Sequence, residues 1–257
     1  MKFGFAIKFF ATLAALTIMA PLVALLTKVP WRNLFSHLSD TSAIKLSLWT
    51  STLSALIALL LGVPLAWILA KSSSRTTNFI RPLVLAPIVL PPTVAGMALI
   101  ALMGRKGLFG NYLYEVTGWA MPFTASAVVL AGVFVGLPFV VLICESNFRQ
   151  LPKEVEDAAL IDRADGKELF QRIAIPQSRS AIATGAILAW ARAIGEFGAT
   201  LMFAGSFPGK TQTWTMLIYQ ELDISVDTAY ALSAVMLIIA VAIVFLLRKP
   251  LREAMRY

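Results

Sequence analysis

Six stretches of mostly apolar residues recur along this chain, at 9–26, 48–70, 83–103, 123–144, 181–204 and 229–247. A helix needs about 20 such residues to cross the hydrocarbon core of a bilayer. Inside that core no water is present to satisfy backbone N–H and C=O groups, so a spanning segment must close its own hydrogen bonds. Helices do this locally. The pattern therefore predicts an all-α polytopic membrane protein with about six transmembrane helices. Composition agrees, with 58% hydrophobic and only 14% charged residues, against roughly a quarter charged in soluble domains. Lys2 and Lys8 ahead of an apolar run resemble a signal peptide. The run at 9–26 is longer than the usual signal core and further spans follow it, which predicts a retained first helix.

Several spans contain helix breakers. The third carries Pro91-Pro92, and the fourth carries Gly132, Gly136 and Pro138. Membrane helices tolerate these where neighbours or water satisfy the freed groups. Thr50, Ser51 and Thr52, near the start of the second span, can bond back to their own helix.

The distribution of Lys and Arg sets the expected orientation. With the N-terminus inside, the inner side carries Lys2, Lys8, Lys71, Arg75, Arg81, Arg149, Lys153, Arg163, Lys167, Arg172, Arg179, Arg248, Lys249, Arg252 and Arg256. The outer side carries only Lys28, Arg32, Lys45, Arg105, Lys106 and Lys210. Positive loops stay cytoplasmic. Both termini are thus expected in the cytoplasm, and the net charge of +8 is explained without nucleic acid.

No loop is long enough to bury a core of its own, so residues 1–257 are expected to form a single transmembrane domain. The chain has no phosphate-binding glycine loop, no nucleophile elbow and no paired carboxylates within a span. It is not expected to be an enzyme or to bind a cofactor. One cysteine (Cys144) and one histidine (His37) exclude an internal disulfide and leave too few ligands for a zinc site. Cys144, closing an apolar run, is expected to pack; His37, in a polar loop, is expected to be incidental.

Two charges remain inside the predicted spans, Arg192 and Glu196. Each costs about 2.5–3.5 kcal/mol at mid-bilayer on insertion scales. Their i, i+4 spacing lets them meet on one helix face. Such a pair either fixes helix packing or lines the path or its gate, where Arg192 would favour an anion. Gly185, Ala189, Ala193, Gly195 and Gly198 suit close helix approach, within the chain or across a dimer. Pro92 and Thr93 form a second candidate. A break there would free backbone amides at a helix start, which suits an oxyanion, although a plain proline kink has the same sequence.

The remaining feature is the charged run 153–179. Its apolar residues between Glu154 and Gln171 fall largely on one helical side, with charges flanking them. Pro152 suits a helix start and Pro176 a turn into the next span. Five acids between Glu154 and Asp165 would repel an anionic inner leaflet, which favours a protein partner over lipid.

This run resembles the EAA motif of importer-type ABC transporter permeases, whose pattern is Glu-Ala-Ala, three residues, Gly, nine residues, then Ile-x-Leu-Pro. Asp157, Ala158, Ala159, Arg163, Ile173, Ile175 and Pro176 fall at that spacing. Asp replaces Glu, Arg replaces Gly and Ile replaces Leu. The family glycine permits a bend between two short helices; here Gly166 is expected to supply it. The stretches VLPPTVAGMAL, MGRKGLFGNYLYE and ARAIGEFGATLMFAGSFPGKTQT resemble molybdate-type permease subunits, relatives of the sulfate ones.

The resemblance implies a type I ABC importer permease fold in a bacterial or archaeal cytoplasmic membrane. It implies a homodimeric pore, two cytoplasmic ATPase subunits that carry ATP and Mg, and an external molybdate-binding protein. The ATPase would dock on a coupling helix at about 153–172, and alternating access would move the cargo. Tungstate, sulfate or thiosulfate are the alternative cargoes. A stand-alone secondary transporter is the alternative machine, disfavoured by the lack of further intramembrane acids for proton coupling.

Overall fold

Helix follows helix along this chain, and several of the breaks between them fall at proline or glycine. A computed structural model describes residues 4–38, 41–152, 154 and 165–254, giving only the backbone for 38 and 246–254. Among the described residues there is no strand. The long helices are α1 (Phe5–Thr27), α2 (Ser42–Lys71), α3 (Arg75–Val89), α4 (Pro92–Met103), α5 (Gly110–Thr117) and α6 (Ala125–Arg149). After the charged run come α7 (Arg179–Ile194), α8 (Gly198–Ala204), α9 (Trp214–Ile224) and α10 (Val226–Ala254).

Among the described residues, four helices are long and apolar enough to cross a membrane: α1, α2, α6 and the stretch Val226–Phe245 of α10. The pair α7 and α8, bent by 62°, makes a fifth if it is one span. Two of the six expected spans are thus not continuous helices. The third divides into α3 and α4. Leu90 (ψ 134°) and Pro91 (ψ 138°) are extended between them, because a residue preceding proline is pushed out of the helical region. The fifth expected span, 181–204, stops at Ile194 and restarts at Gly198, a break that the hydropathy pattern does not announce.

The described chain forms two units, residues 1–41 with 217–243, and residues 42–216 with 244–257. In the first, no residue of α1 is buried. A helix apolar on all sides is suited to lipid. His37 is not incidental here: its Nδ1 lies 2.9 Å from Thr228 Oγ1, tying the turn Ser36–Leu38 to the start of α10.

The second unit is built on α2, α6 and α7. Its core is rich in small side chains: Ala55, Ala58, Ala66 and Ala189 pack with Val140, Val141 and Cys144. Small residues let backbones approach closely, which is what binds helices in lipid. A Cβ placed on Gly136 would lie 3.1 Å from the Ala189 carbonyl, so the small-residue stripe of α7 is used inside the chain, against α6. Thr50, Ser51 and Thr52 donate to the carbonyls of Leu46, Ser47 and Leu48, as their spacing predicts. A smaller cluster joins Leu99 of α4, Ala127, Val128 and Ala131 of α6, and Phe203 and Ala204 of α8.

Candidate functional site

The break between α7 and α8 is where the two intramembrane charges meet. Gly195 ends α7, and the chain resumes helix only at Gly198. Glu196 stands in the gap, 3% exposed. One carboxylate oxygen, Oε2, lies 2.5 Å from Arg192 Nη1; the other, Oε1, accepts from the Ala199 N–H at 2.9 Å. The side chain therefore holds the last turn of α7 to the first turn of α8. A negative charge is favoured there, since the first N–H groups of a helix have no internal partner. The Glu196 carbonyl, freed by the break, accepts from Thr215 Oγ1 at 2.9 Å.

Arg192 is placed differently from its partner. Its side chain is 34% exposed against 3% for Glu196. It lies thirteen residues past the start of α7, roughly 20 Å along the axis at 1.5 Å per residue. A guanidinium at that depth is costly against lipid, so its open side is suited to water or an anion.

The second candidate, Pro92-Thr93, sits at the same place. A Cβ on Gly198 would lie 2.5 Å from Pro92 Cβ, so only glycine lets α8 start against α4. The structure thus brings Pro92, Gly198, Glu196 and Arg192 into one neighbourhood, with Thr93 exposed in the first turn of α4. Sequence spacing did not join Pro92 and Thr93 to Arg192, Glu196 and Gly198, which lie a hundred or so positions further on. Ser47 was also missed; its Oγ accepts from the Trp214 N–H at 2.7 Å.

At the other end of these helices lies a second charged cluster. Glu145, 7% exposed in the last turns of α6, accepts through Oε1 from Arg81 Nε at 2.8 Å and from Arg149 Nη2 at 2.7 Å. Both arginines also donate to the Leu69 carbonyl near the end of α2, at 2.9 and 3.0 Å. The i, i+4 spacing of Glu145 and Arg149 was a signal in the sequence; Arg81, 64 residues away, gave none.

Of the EAA-like positions, Asp157, Ala158, Ala159 and Arg163 lie outside the described residues. Asp165 is extended, and its side chain accepts from the Glu168 N–H at 2.7 Å, so a new helical turn opens at Gly166. The segment is then π-helical over Leu169–Ala174, including Ile173, and passes through a turn at Ile175–Gln177 that contains Pro176. The part of the expected helix 153–172 that is described is therefore not a continuous α-helix. Phe170 anchors it, with its ring 5.7 Å from Trp67 of α2 and 6.4 Å from Phe148 of α6. Ala174 is fully buried. Among the described residues, no group of His, Cys, Asp and Glu is placed to hold a metal.

Comparison with known proteins adds four findings. Residues 58–256 match a family described as the binding-protein-dependent transport system inner membrane component. The chain is 40% identical over 227 residues to the molybdenum transport system permease protein ModB of Mycobacterium tuberculosis, covering 87% of this chain and 86% of that one. It is 30% identical to a probable sulfate transport system permease protein of Zygnema circumcarinatum, covering 90% and 83%. Its fold is similar to that of a chain in a bacterial alginate ABC transporter crystallised with its alginate-bound periplasmic protein, with a TM-score of 0.75 at 14% identity, covering 98% and 94%.

Proposed function

This chain belongs to the family of binding-protein-dependent transport system inner membrane components, as the multi-pass permease of an ABC importer, and from that premise we propose that its cargo is molybdate. The observation that supports this cargo is the 40% identity to a molybdenum permease, sustained over 87% of the chain. The 30% identity to a probable sulfate permease favours sulfate as the second reading, since both are tetrahedral dianions.

In this reading two copies of the chain enclose the path, with both termini in the cytoplasm. An external binding protein delivers the oxyanion. Two ATPase subunits, which hold ATP and Mg, dock on the segment that includes Asp157, Ala158, Ala159 and Arg163 and continues through Gly166, Ile173, Ile175 and Pro176. The anion passes the break between α7 and α8. There Arg192 offers one guanidinium, already paired with Glu196, and Thr93 a hydroxyl. A dianion must be released as readily as it is taken up. A cation whose charge is half spent on a fixed carboxylate suits a weak, transient site better than a bare one.

The cargo test is uptake of labelled molybdate by cells whose only oxyanion importer contains this chain. Excess unlabelled molybdate is expected to abolish uptake, with sulfate much less effective. Failure of molybdate to compete would overturn the cargo, and competition by sulfate alone would install the second reading. The docking segment is tested by Ala159→Glu, which puts a charge on its apolar side. It is expected to leave the permease inserted and to abolish both ATPase association and uptake; retention of both would refute docking there.

A further inference from the structure

We infer that Glu145 is a positioning residue, the joint through which movement of the ATPase-docking segment is passed to α2, α3 and α6 together. The inference rests on the docking reading above, but not on the cargo. It starts from an oddity: α6 is otherwise apolar in its buried face, yet it shuts a carboxylate in near its end. A simple surface pair with Arg149 at i+4 would need no burial and no third partner.

Instead one oxygen, Glu145 Oε1, takes three hydrogen bonds, from Arg81 Nε (2.8 Å), Arg149 Nε (3.0 Å) and Arg149 Nη2 (2.7 Å). The same two guanidinium groups close on a second oxygen, the Leu69 carbonyl. That carbonyl belongs to the last turn of α2, where helix carbonyls lack internal partners. Three helices thus converge on two oxygens. Charge-assisted hydrogen bonds of this kind are short and directional, so α2, α3 and α6 are held as one body at this end.

The docking segment is fixed to the same body at both of its ends. It leaves α6 directly after Arg149. It returns through Phe170, whose ring lies tilted against Trp67 of α2 and edge-on to Phe148 of α6, and through the buried Ala174. Arg81 then carries the connection onward. It stands in α3, which leads across the extended pair Leu90-Pro91 into α4. The first residue of α4, Pro92, meets Gly198 at the start of α8. A continuous line of packed elements therefore runs from the docking segment to the helix break that holds Glu196. Packed chains and rigid elements of this kind can carry coupling between distant sites. Without Glu145 the two arginines repel, and α3 is no longer fastened to the end of α6.

The test uses the complete importer, permease with its ATPase and external binding protein, in proteoliposomes, and reads cargo carried per ATP hydrolysed. Glu145→Gln is expected to assemble and hydrolyse ATP within about twofold of the unaltered importer while cargo per ATP falls about tenfold, within the 5–150-fold span usual for coupling between sites. Arg81→Gln keeps the Glu145–Arg149 pair and releases α3 alone, and its cargo per ATP is expected to fall with unchanged thermal stability. A merely structural role would lower the amount of assembled importer and leave that ratio alone. If Glu145→Gln does not assemble, Arg81→Gln decides. A ratio equal to that of the unaltered importer in an assembled variant overturns the inference. Uptake by the unaltered chain without any ATPase would instead overturn the docking reading on which it rests.

Discussion

Two Arg–Glu devices stand in the same bundle and are built in opposite ways. At the helix break, one carboxylate faces one guanidinium. The acid is shut in and fixed by a backbone N–H, while the base is a third exposed. At the far end of α6, one carboxylate faces two guanidinium groups, 29% and 45% exposed, which also hold a carbonyl of another helix. The first device is local, spanning four residues, and leaves its cation open. The second is long-range, joining three helices, and leaves its cations in contact with water. On the proposed readings, the first suits a site that an anion passes and the second a joint between helices.

The largest effect is expected at the helix break. Glu196→Ala removes a buried acid from both of its partners. Breaking a buried pair costs about 3–5 kcal/mol; the partial exposure of Arg192 puts this case at the lower end. Thermal unfolding of the purified permease checks it, and a loss below about 1 kcal/mol would show that the pair holds nothing together. Next is Gly198→Leu, which drives a side chain into Pro92. Overpacking of this kind costs about 1–3 kcal/mol, and here it is expected to block uptake as well, because the contact borders the proposed path. Unaltered uptake by Gly198→Leu would remove the contact from the path. The smallest effect is expected for Arg172→Ala. That pair with Glu168 is 79% and 42% exposed, and exposed i, i+4 pairs contribute about 0.3–0.5 kcal/mol. A larger loss in the same unfolding assay would mean that the π-helical turn depends on it.

Much of this arrangement is legible in the sequence, and what is not has physical reasons. Apolar runs of the right length marked α1, α2, α6 and α10, because lipid leaves a helix no other composition. Pro91-Pro92 announced a break, since proline removes a donor and constrains its predecessor. The break at Gly195–Phe197 was hidden, because glycine in a membrane helix serves close packing as readily as it serves a bend. Arg192 and Glu196 were visible as costly charges, but their spacing suggested a pair on one helix, whereas Glu196 stands beyond the helix end and caps the next one. Glu145 gave no signal of its own at the end of a span, where an acid is ordinary. Only its partner in α3 makes it a joint, and no local pattern reports a contact across 64 residues. The EAA-like spacing from Asp157 to Pro176 gave an expected docking motif whose first half lies outside the described residues; the π-helical turn at Leu169–Ala174 was not legible, since its wider winding leaves no period that apolar positions alone distinguish.

On this reading the chain carries a path but no energy source. The direct test is uptake of labelled molybdate into proteoliposomes that hold the permease alone, the permease with its ATPase, or both with the external binding protein. Uptake only in the complete assembly, and only with ATP, is the predicted result. Sustained uptake by the permease alone, driven by an ion gradient, would contradict it.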